Sequence, residues 1–264
     1  MHVRIRAAAA LATGAVALSA LVVPAAQAAP DGPADVVAGD TKISNIVVNG
    51  GKSIVVGSSG RASVTVTMTV SDPNGISDAG GILYHGTDVT HNDWGVILPS
   101  CGQHLVSTYT CSFNLKANSD RPFDVIKNSH AGTWKMWAYA NSPDGDYIQR
   151  DPAKTFKVLR AAKLTANATP EPVKRGKPIT VTGSLTRANW ETLTYNGYGS
   201  QPVVLQFRKA GTSGYVNVKG IKASSTGALK TTVTASVDGY YRFSYAGSAT
   251  TAGTSSAGDY IDVR

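Results

Sequence analysis

The chain has 264 residues, of which 42% are hydrophobic and 16% charged, and its 25 basic and 17 acidic residues give a formal net charge of +8. Soluble globular domains contain about 25% charged residues. Since Glu171 and Glu191 are the only glutamates, a coiled coil is excluded and a helical bundle is disfavoured. At about 100–150 residues per domain, the length predicts two domains.

The N-terminal segment has the features of a secretory signal peptide. Arg4 and Arg6 precede an apolar run over 7–23, and the Ala-Gln-Ala motif at 26–28 is a small-x-small cleavage site. Residues 1–29 are therefore expected to be removed, with a retained membrane anchor as the alternative. The sequence has no later stretch of membrane length, so the mature protein is expected to be secreted and to lack a membrane span.

Alternation of apolar and polar residues at period two recurs along the chain. It is typical of strands that bury one face, and turn sequences such as Asp-Pro-Asn-Gly separate the runs. The predicted strands cover 41–48, 61–70, 109–115, 133–140, 156–159, 179–186, 203–208, 229–235, 240–245 and 260–263. Short strands at such spacing indicate sandwiches or barrels. We therefore expect an all-β fold of two antiparallel β-sandwiches, over 30–160 and 161–264.

The C-terminal half contains motifs in a recognisable order. They are Lys-Pro-Ile-Thr-Val-Thr-Gly at 177–183, Gln-Pro-Val-Val-Leu-Gln-Phe-Arg at 201–208, Ser-Thr-Gly at 225–227, Asp-Gly-Tyr-Tyr-Arg-Phe-Ser-Tyr-Ala-Gly at 238–247 and Asp-Tyr-Ile-Asp-Val at 259–263. This series resembles the Ig-like accessory domains of exported proteins from Gram-positive bacteria, which implies Ig-like topology. The first half resembles bacterial Ig-like modules through 70–76 and 132–138. The whole chain also resembles small exported proteins that are often labelled calcium-binding.

The two cysteines, Cys101 and Cys111, are predicted to form a disulfide. Export to an oxidising compartment favours this bond for a single cysteine pair. Two cysteines cannot supply the four protein ligands of a typical structural zinc site.

Several oxygen-bearing side chains are predicted to meet at one end of the first domain. In an Ig-like order the strands 61–70 and 133–140 run in the same direction, so the loops 71–80 and 141–147 share a pole. The residues concerned are Asp72, Asn74, Asp78, Asp144 and Asp146. Carboxylate oxygens on short loops suit Ca²⁺, but the same residue types are also common in ordinary turns. A calcium site and a pair of plain turns are both compatible with the sequence.

Charge is unevenly divided between the two halves. Residues 161–264 contain 12 basic and 5 acidic residues, a balance of +7, whereas residues 30–160 have a balance of −1. In an exported protein this asymmetry indicates an anionic cell-wall or other extracellular polymer rather than nucleic acid. Lys174, Arg175 and Lys177 are the candidate contacts. Alternatively, the lysines keep a β protein soluble and protect its sheet edges.

Aromatic side chains supply further candidate binding surfaces, because rigid rings stack on sugars or fill a partner's pocket. Trp137 and Tyr139 face away from the predicted core, and lie either beneath the connection 85–105 or on an exposed platform. A second group lies on a predicted loop over 187–200, namely Trp190, Tyr195 and Tyr198. These loop rings either bind a ligand or fold back onto the sandwich.

The histidines of the first half offer one more candidate site. His85 and His91, with Asp88 and Asp93, have the side chains to hold a transition metal, and are otherwise polar residues of an irregular connection.

No catalytic motif is present: the sequence lacks a nucleophile elbow, a zincin helix and a phosphate-binding loop. We therefore expect a secreted, monomeric, non-catalytic binding or structural protein that contacts an extracellular polymer or a protein partner. A calcium-binding secreted protein and a hydrolase with an unrecognised site are the alternatives.

Overall fold

The computed structural model describes residues 35–59, 62–101, 108–115 and 126–264. The predicted signal peptide, residues 1–29, and His104 lie outside these ranges. The described part is all-β, as predicted, and its only helical turns are two 3₁₀ segments at Asn49–Gly51 and Asn128–His130. It is arranged as two β-sandwiches, each with its own core.

Nine strands of the described chain build the first sandwich. They are β1 (Val36–Ala38), β2 (Lys42–Val48), β3 (Ile54–Val56), β4 (Val64–Ser71), β5 (Asp78–Gly86), β6 (Asn92–Leu98), β7 (Thr108–Leu115), β8 (Gly132–Asn141) and β9 (Tyr147–Arg160). One sheet has the order β1-β9-β8-β5-β6, with β3 beside β9, and the other has the order β2-β4-β7. The pairing is antiparallel except that β3 runs parallel to β9.

The core of the first sandwich follows from the period-two pattern. Along β4 the valines and Met68 are buried while the threonines between them are exposed or half-buried, and along β8 Trp134 and Met136 are fully buried. Since β4 and β8 belong to different sheets, the two apolar faces pack against each other.

The predicted disulfide between Cys101 and Cys111 is present, with the Cα atoms 5.8 Å apart. Cys101 follows β6 and Cys111 lies on β7, so the bond joins the two sheets of the first sandwich. A covalent link across so short a loop stabilises a fold by about 2.5 kcal/mol in the chain-entropy model.

Ten strands build the second sandwich. They are β10 (Ala162–Leu164), β11 (Asn167–Thr169), β12 (Pro178–Asn189), β13 (Thr194–Gly197), β14 (Pro202–Lys209), β15 (Val216–Lys222), β16 (Ala228–Thr234), β17 (Gly239–Tyr245), β18 (Thr254–Ser255) and β19 (Asp259–Ile261). In one sheet β12 pairs with β10, β11, β13 and β16. The other has the order β15-β14-β17-β18, with β19 also beside β17. Phe243 on β17 is fully buried in the core.

Two connections that the sequence predicts to be irregular contain paired strands in their described residues. The segment 85–105 includes the end of β5 and all of β6, which pair over Gly81–Gly86. The predicted loop 187–200 includes the end of β12 and all of β13, which pair over Arg187–Asn189. Both predictions of an unstructured loop were wrong, because neither segment shows the clean alternation of a strand with one solvent-facing side.

The two sandwiches meet through a hydrogen-bonded junction at the end of β9. The buried Arg160 donates from Nε to the carbonyl of Ala188 at 2.6 Å. Ala188 in turn donates its N–H to the carbonyl of Ala161, and Ala161 donates to the carbonyl of Val56, both at 2.8 Å. The chain segment that connects the two sandwiches is therefore hydrogen-bonded to both of them.

Candidate functional site

The outer face of β8 carries the aromatic pair that the sequence singles out. Trp137 and Tyr139 lie on the side of the sheet opposite the buried Trp134 and Met136, and their ring centroids are 5.2 Å apart. Both are half-buried. The structure places them between the two predicted alternatives, because the β5–β6 loop covers this face only in part.

Trp137 lines a cleft of about 270 Å³ between the β5–β6 loop and the pair of strands β1 and β9. The lining residues are Val36, Asp88, Val89, Thr90, Trp137, Gln149 and Asp151. One aromatic ring, two aliphatic side chains and four polar side chains form the mixed surface expected of a small-molecule subsite. We refer to it as the Trp137 cleft.

The β5–β6 loop, which forms one wall of this cleft, is held by its own hydrogen bonds. The Asp88 carboxylate accepts from the Thr90 N–H at 2.9 Å and from the His91 N–H at 2.8 Å. Hydrogen bonding, first from the Thr90 hydroxyl, holds the pKa of the Asp88 carboxyl well below its usual value. Lys135 on β8 donates from Nζ to the carbonyl of Thr87 at 2.6 Å. The wall is therefore pre-formed and carries an ionised carboxylate.

Asp151 ties this loop to the sheet. The pairing of β8 with β9 shifts register between Met136 and Ala138, and such bulges re-aim side chains. The Asp151 carboxylate accepts from the Val89 N–H at 2.7 Å and from the hydroxyl of Tyr84. Burial and then this hydrogen bond raise the pKa of Tyr84. Asp151 thus joins Tyr84 on the outer face of β5 to the β5–β6 loop that forms the cleft wall.

Two polar groups of the cleft remain available to a ligand. Among the residues that the structure describes, the indole N–H of Trp137 and the amide of Gln149 have no hydrogen-bond partner. A polar group beside an apolar ring is the combination that orients a bound molecule. A ring of a bound ligand can therefore stack on the Trp137 indole, while polar groups at the edge of that ring hydrogen-bond to the indole N–H or to the Gln149 amide.

The predicted acidic pole forms in part. The loops after β4 and β8 lie together, with Asn74 donating from its amide to the Asp144 carboxylate. Carboxylate oxygens of Asp40, Asp72 and Asp146 lie within 4.8 Å of one another. Asp40, in the β1–β2 turn, was not predicted; its N–H donates to Asp146 Oδ2 at 3.0 Å.

Asp78 is not among these clustered carboxylates. It accepts a hydrogen bond from the hydroxyl of Tyr139 at 2.9 Å and another from Ser100. Burial and then this bond raise the pKa of Tyr139 to about 12. The prediction placed Asp78 at the pole because it treated 71–80 as one loop, whereas β5 already begins at Asp78.

The charges at the pole are partly compensated within the protein. Asp72 is 2% exposed and accepts from the Thr41 hydroxyl at 2.6 Å and from the Asn74 N–H at 2.8 Å. Loss of solvation, and then the negative charges of Asp72 and Asp146, raise the pKa of Asp40. The pole therefore combines ordinary turn hydrogen bonds with a repulsion that a cation would relieve.

The basic cluster of the second sandwich is a solvent-exposed turn. Lys174, Arg175 and Lys177 flank Gly176, whose φ of +79° suits glycine. None of the three has a carboxylate partner among the described residues.

The aromatic residues predicted to line a loop over 187–200 have structural contacts. Trp190 is only 4% exposed and packs in the core of the first sandwich, which corresponds to the alternative in which a loop ring folds back onto the protein. Tyr195 lies under the Lys163 ammonium, 3.9 Å from the ring centroid, and Tyr198 lies 4.0 Å from the Arg187 guanidinium. These two half-buried rings are stacked by the protein's own cations.

The histidines do not converge with both predicted carboxylates on one point. His85 contacts Asp93 at 2.7 Å, whereas the exposed His91 contacts Asp88 at 3.0 Å. In the described part of the chain, the only set of three metal-ligating groups that lie close together is the acidic pole.

Comparison with known proteins does not assign a function to this chain. The chain matches no protein-family model and no curated protein sequence. Two solved structures are distantly similar: dimeric latent PorU from Porphyromonas gingivalis, at 14% identity and a TM-score of 0.28, and the D0–D1 domain of intimin, at 15% and 0.28. The match covers 91% of this chain and 21% of PorU, and 83% of this chain and 98% of the intimin fragment. Scores this low carry no argument about function. Within the described residues, no helix is long and apolar enough to cross a membrane.

Proposed function

We propose that this protein is a secreted, non-catalytic binding protein that holds a neutral glycan in the Trp137 cleft. The observation that carries the proposal is a half-buried tryptophan in a pre-formed cleft whose wall is fixed by hydrogen bonds to Asp88 and Asp151. Sugar rings present a flat C–H face that packs on an aromatic ring, and hydroxyls that bond to amides and carboxylates. A pre-formed site loses little conformational entropy on binding.

The electrostatics of the cleft favour binding of a neutral ligand over catalysis. A glycosidase acid needs a raised pKa so that it stays protonated at neutral pH, whereas the pKa of Asp88 is lowered. Asp151 is occupied by Tyr84 and Val89. Two carboxylates on the rim repel an anionic ligand, so the expected ligand is an uncharged polysaccharide segment.

Replacing Trp137 with alanine should weaken glycan binding about tenfold or more. Truncating a central aromatic contact costs about 2 kcal/mol, and 1.4 kcal/mol corresponds to a factor of ten. Affinity electrophoresis in gels cast with soluble xylan, mannan, dextran or mixed-linkage β-glucan measures this. Wild type should be retarded in at least one gel, and the Trp137→Ala variant should migrate freely in that gel.

A milder variant and a remote one control for folding. Trp137→Phe keeps a ring and should retain part of the retardation, while Val218→Ala, at a 44% exposed position of the second sandwich, should behave like wild type. If wild type is retarded in none of these gels, or if Trp137→Ala is retarded as strongly as wild type, the cleft is not a glycan site.

Calcium binding at the acidic pole is a second candidate function, which the approach of three carboxylates favours. Calcium takes six to eight oxygen ligands, and Asp40, Asp72 and Asp146 would supply part of this set, with water supplying more. A cation there would also relieve the repulsion that raises the pKa of Asp40.

Calcium in millimolar excess should then raise the melting temperature relative to chelator. Binding to the folded state alone contributes about 2.7 kcal/mol at a hundredfold excess over Kd, which is several degrees for a domain of this size. Asp146→Asn should remove the shift while keeping an acceptor for the Asp40 N–H. Asp262→Asn, in the second sandwich, should not. Equal melting of wild type in calcium and in chelator would assign the pole to turn structure alone.

A further inference from the structure

The second sandwich has a polar and aromatic outer face built from residues of several strands. Along β17, Tyr241 and Phe243 are buried, so Tyr240 and Arg242 lie on the opposite side of the sheet. On the neighbouring β14, Arg208 pairs directly with Tyr240. This outer side is half-buried by its own side chains and by Tyr215 from the connection between β14 and β15.

Arginines and tyrosines interleave across this face. The Arg208 guanidinium lies 4.0 Å from the ring centroid of Tyr240, and that of Arg242 lies 3.7 Å from Tyr215. Tyr240 and Tyr260 are in contact, with centroids 5.1 Å apart. We call these five side chains the Arg–Tyr face. Cation–π contacts hold both guanidinium groups against tyrosine rings.

Neither arginine is neutralised within the described part of the protein. The arginine ion pairs there join Arg150 with Asp35 and Arg264 with Asp262, and no carboxylate of the described residues lies within ion-pair distance of Arg208 or Arg242. Arg208 donates to the Thr212 carbonyl and to the hydroxyls of Tyr215 and Tyr240, and Arg242 donates from Nε to Gln206. A guanidinium has five N–H donors, so each retains donors for an external acceptor.

We propose that the Arg–Tyr face binds an acidic polysaccharide, with uronate carboxylates on Arg208 and Arg242 and sugar rings against the tyrosines. The planar guanidinium fork matches a carboxylate in a bidentate geometry that lysine cannot reproduce. The 39% exposed Tyr260 extends the aromatic surface beside the two cations. The balance of +7 over 161–264 supplies the longer-range attraction.

This face is separate from the Trp137 cleft in position and in charge. The cleft carries Asp88 and Asp151 and lies on the first sandwich, whereas the Arg–Tyr face lies on β14, β17 and β19 of the second. The two proposals therefore stand or fall independently, and Trp137→Ala should leave binding of an acidic polymer unchanged.

The test compares three polymers with the full mature chain in chelator, so that calcium bridging is excluded. The probes are polygalacturonate, which has rings and carboxylates, polyphosphate, which has charge without rings, and dextran, which has rings without charge. Biolayer interferometry of the Trp137→Ala variant, in which the cleft does not contribute, should show tightest binding to polygalacturonate, weaker binding to polyphosphate and none to dextran. Attraction between exposed charges should fade as salt shortens the Debye length below about 8 Å.

Charge-matched variants decide whether this particular face is used. The Arg208→Gln/Arg242→Gln variant should bind polygalacturonate at least tenfold more weakly, whereas Lys174→Gln/Lys177→Gln removes equal charge and should lose less than threefold. The Arg208→Lys/Arg242→Lys variant keeps the charge and should still lose several-fold, because the planar fork is gone. Thermal melting of each variant checks that it is folded.

Three outcomes would overturn the proposal. Equal losses in the two glutamine variants would mean attraction by net charge alone, and a loss confined to the lysine variant would assign binding to the turn 174–177. Equal or tighter binding of polyphosphate, or of single-stranded DNA in the same assay, would mean that the face recognises phosphate rather than uronate.

Discussion

Replacing Trp190 with alanine should lower the free energy of unfolding by about 3–5 kcal/mol, the usual cost of removing a large buried aromatic side chain. Trp190 follows β12 of the second sandwich but packs in the core of the first, and its indole N–H donates to the carbonyl of Val56 at 3.2 Å. The variant loses that packing and one of the two hydrogen bonds that the Val56 carbonyl accepts, while the bond from the Ala161 N–H remains. Urea denaturation followed by circular dichroism measures the change.

Leu193 supplies a matched control, because it lies in the same β12–β13 turn and is 58% exposed. Leu193→Ala should change stability by no more than about 0.5 kcal/mol. Because Trp190 joins the two cores, we expect the wild type to unfold in one transition and Trp190→Ala in two. A Trp190→Ala variant as stable as Leu193→Ala would show that the ring does not pack in the first core.

The sequence places Trp190 on a predicted surface loop for a physical reason. Its sequence neighbours, Asn189 and Glu191, are polar, and the segment after it is rich in glycine and tyrosine, so the local pattern is that of a surface loop. Its burial depends on Val56, 134 positions earlier in the chain. Sequence periodicity indicates which face of its own strand a residue occupies. It does not indicate contacts between two sandwiches.

The strands in which apolar buried residues alternate with polar exposed ones could be predicted, and strands without that alternation, such as β5, could not. Along β4 and β17 buried and partly exposed residues alternate, so the period of two is visible in the sequence. In β5 the residues Ala79, Gly80 and Gly81 are all buried, partly because the Tyr139 ring lies against Gly80. A strand of this kind contains no alternation to find.

The candidate sites also differ in how far the sequence alone could predict them. The proximity of the loops after β4 and β8 followed from strand direction alone, and Asn74 does contact Asp144. Asp40 was not predicted because β1 has only three residues, too few to reveal the β1–β2 turn in the sequence. The Arg–Tyr face is a cross-strand arrangement of Arg208 and Tyr240, and the register of two strands is not readable from either strand separately.

Acidification from pH 7 to pH 5 should destabilise the protein through His130. This side chain is 5% exposed, and its Nδ1 accepts a hydrogen bond from the Lys127 N–H at 3.0 Å. In the neutral ring the proton therefore lies on Nε2, which is 3.9 Å from Asp93 Oδ2. Protonation of Nδ1 would turn the acceptor into a donor facing another donor.

The surroundings of His130 determine the direction of the effect. Burial lowers the pKa of His130, His85 and Lys127 lower it further, and Asp93 and Glu191 act in the opposite direction. An unfolded histidine titrates near pH 6.5. Between that value and the lower folded pKa, the unfolded chain binds more protons, so stability falls as the pH drops below about 6.5 and levels off below the folded pKa.

The segment that His130 stabilises is also part of the junction between the sandwiches. The Asn128 side-chain amide donates to Asn189 at 2.9 Å and to Glu191 at 2.6 Å. Its oxygen accepts from the backbone N–H of Trp190 at 3.0 Å. Loss of the Lys127–His130 hydrogen bond loosens the turn that presents Asn128. Acid should therefore weaken the same contacts that Trp190→Ala weakens, and we expect the two transitions of that variant to separate further at pH 5.

Melting temperatures from pH 5 to pH 8 test this, with His130→Asn as the informative variant, because its amide oxygen can replace Nδ1 as an acceptor without titrating in this range. Wild type should lose stability between pH 7 and pH 5, and His130→Asn should be less stable at pH 7 but lack that step. His91→Asn, whose side chain is 79% exposed in the wild type, should keep the wild-type profile. If His130→Asn shows the same pH dependence as wild type, the acid sensitivity arises elsewhere and His130 is a structural residue only.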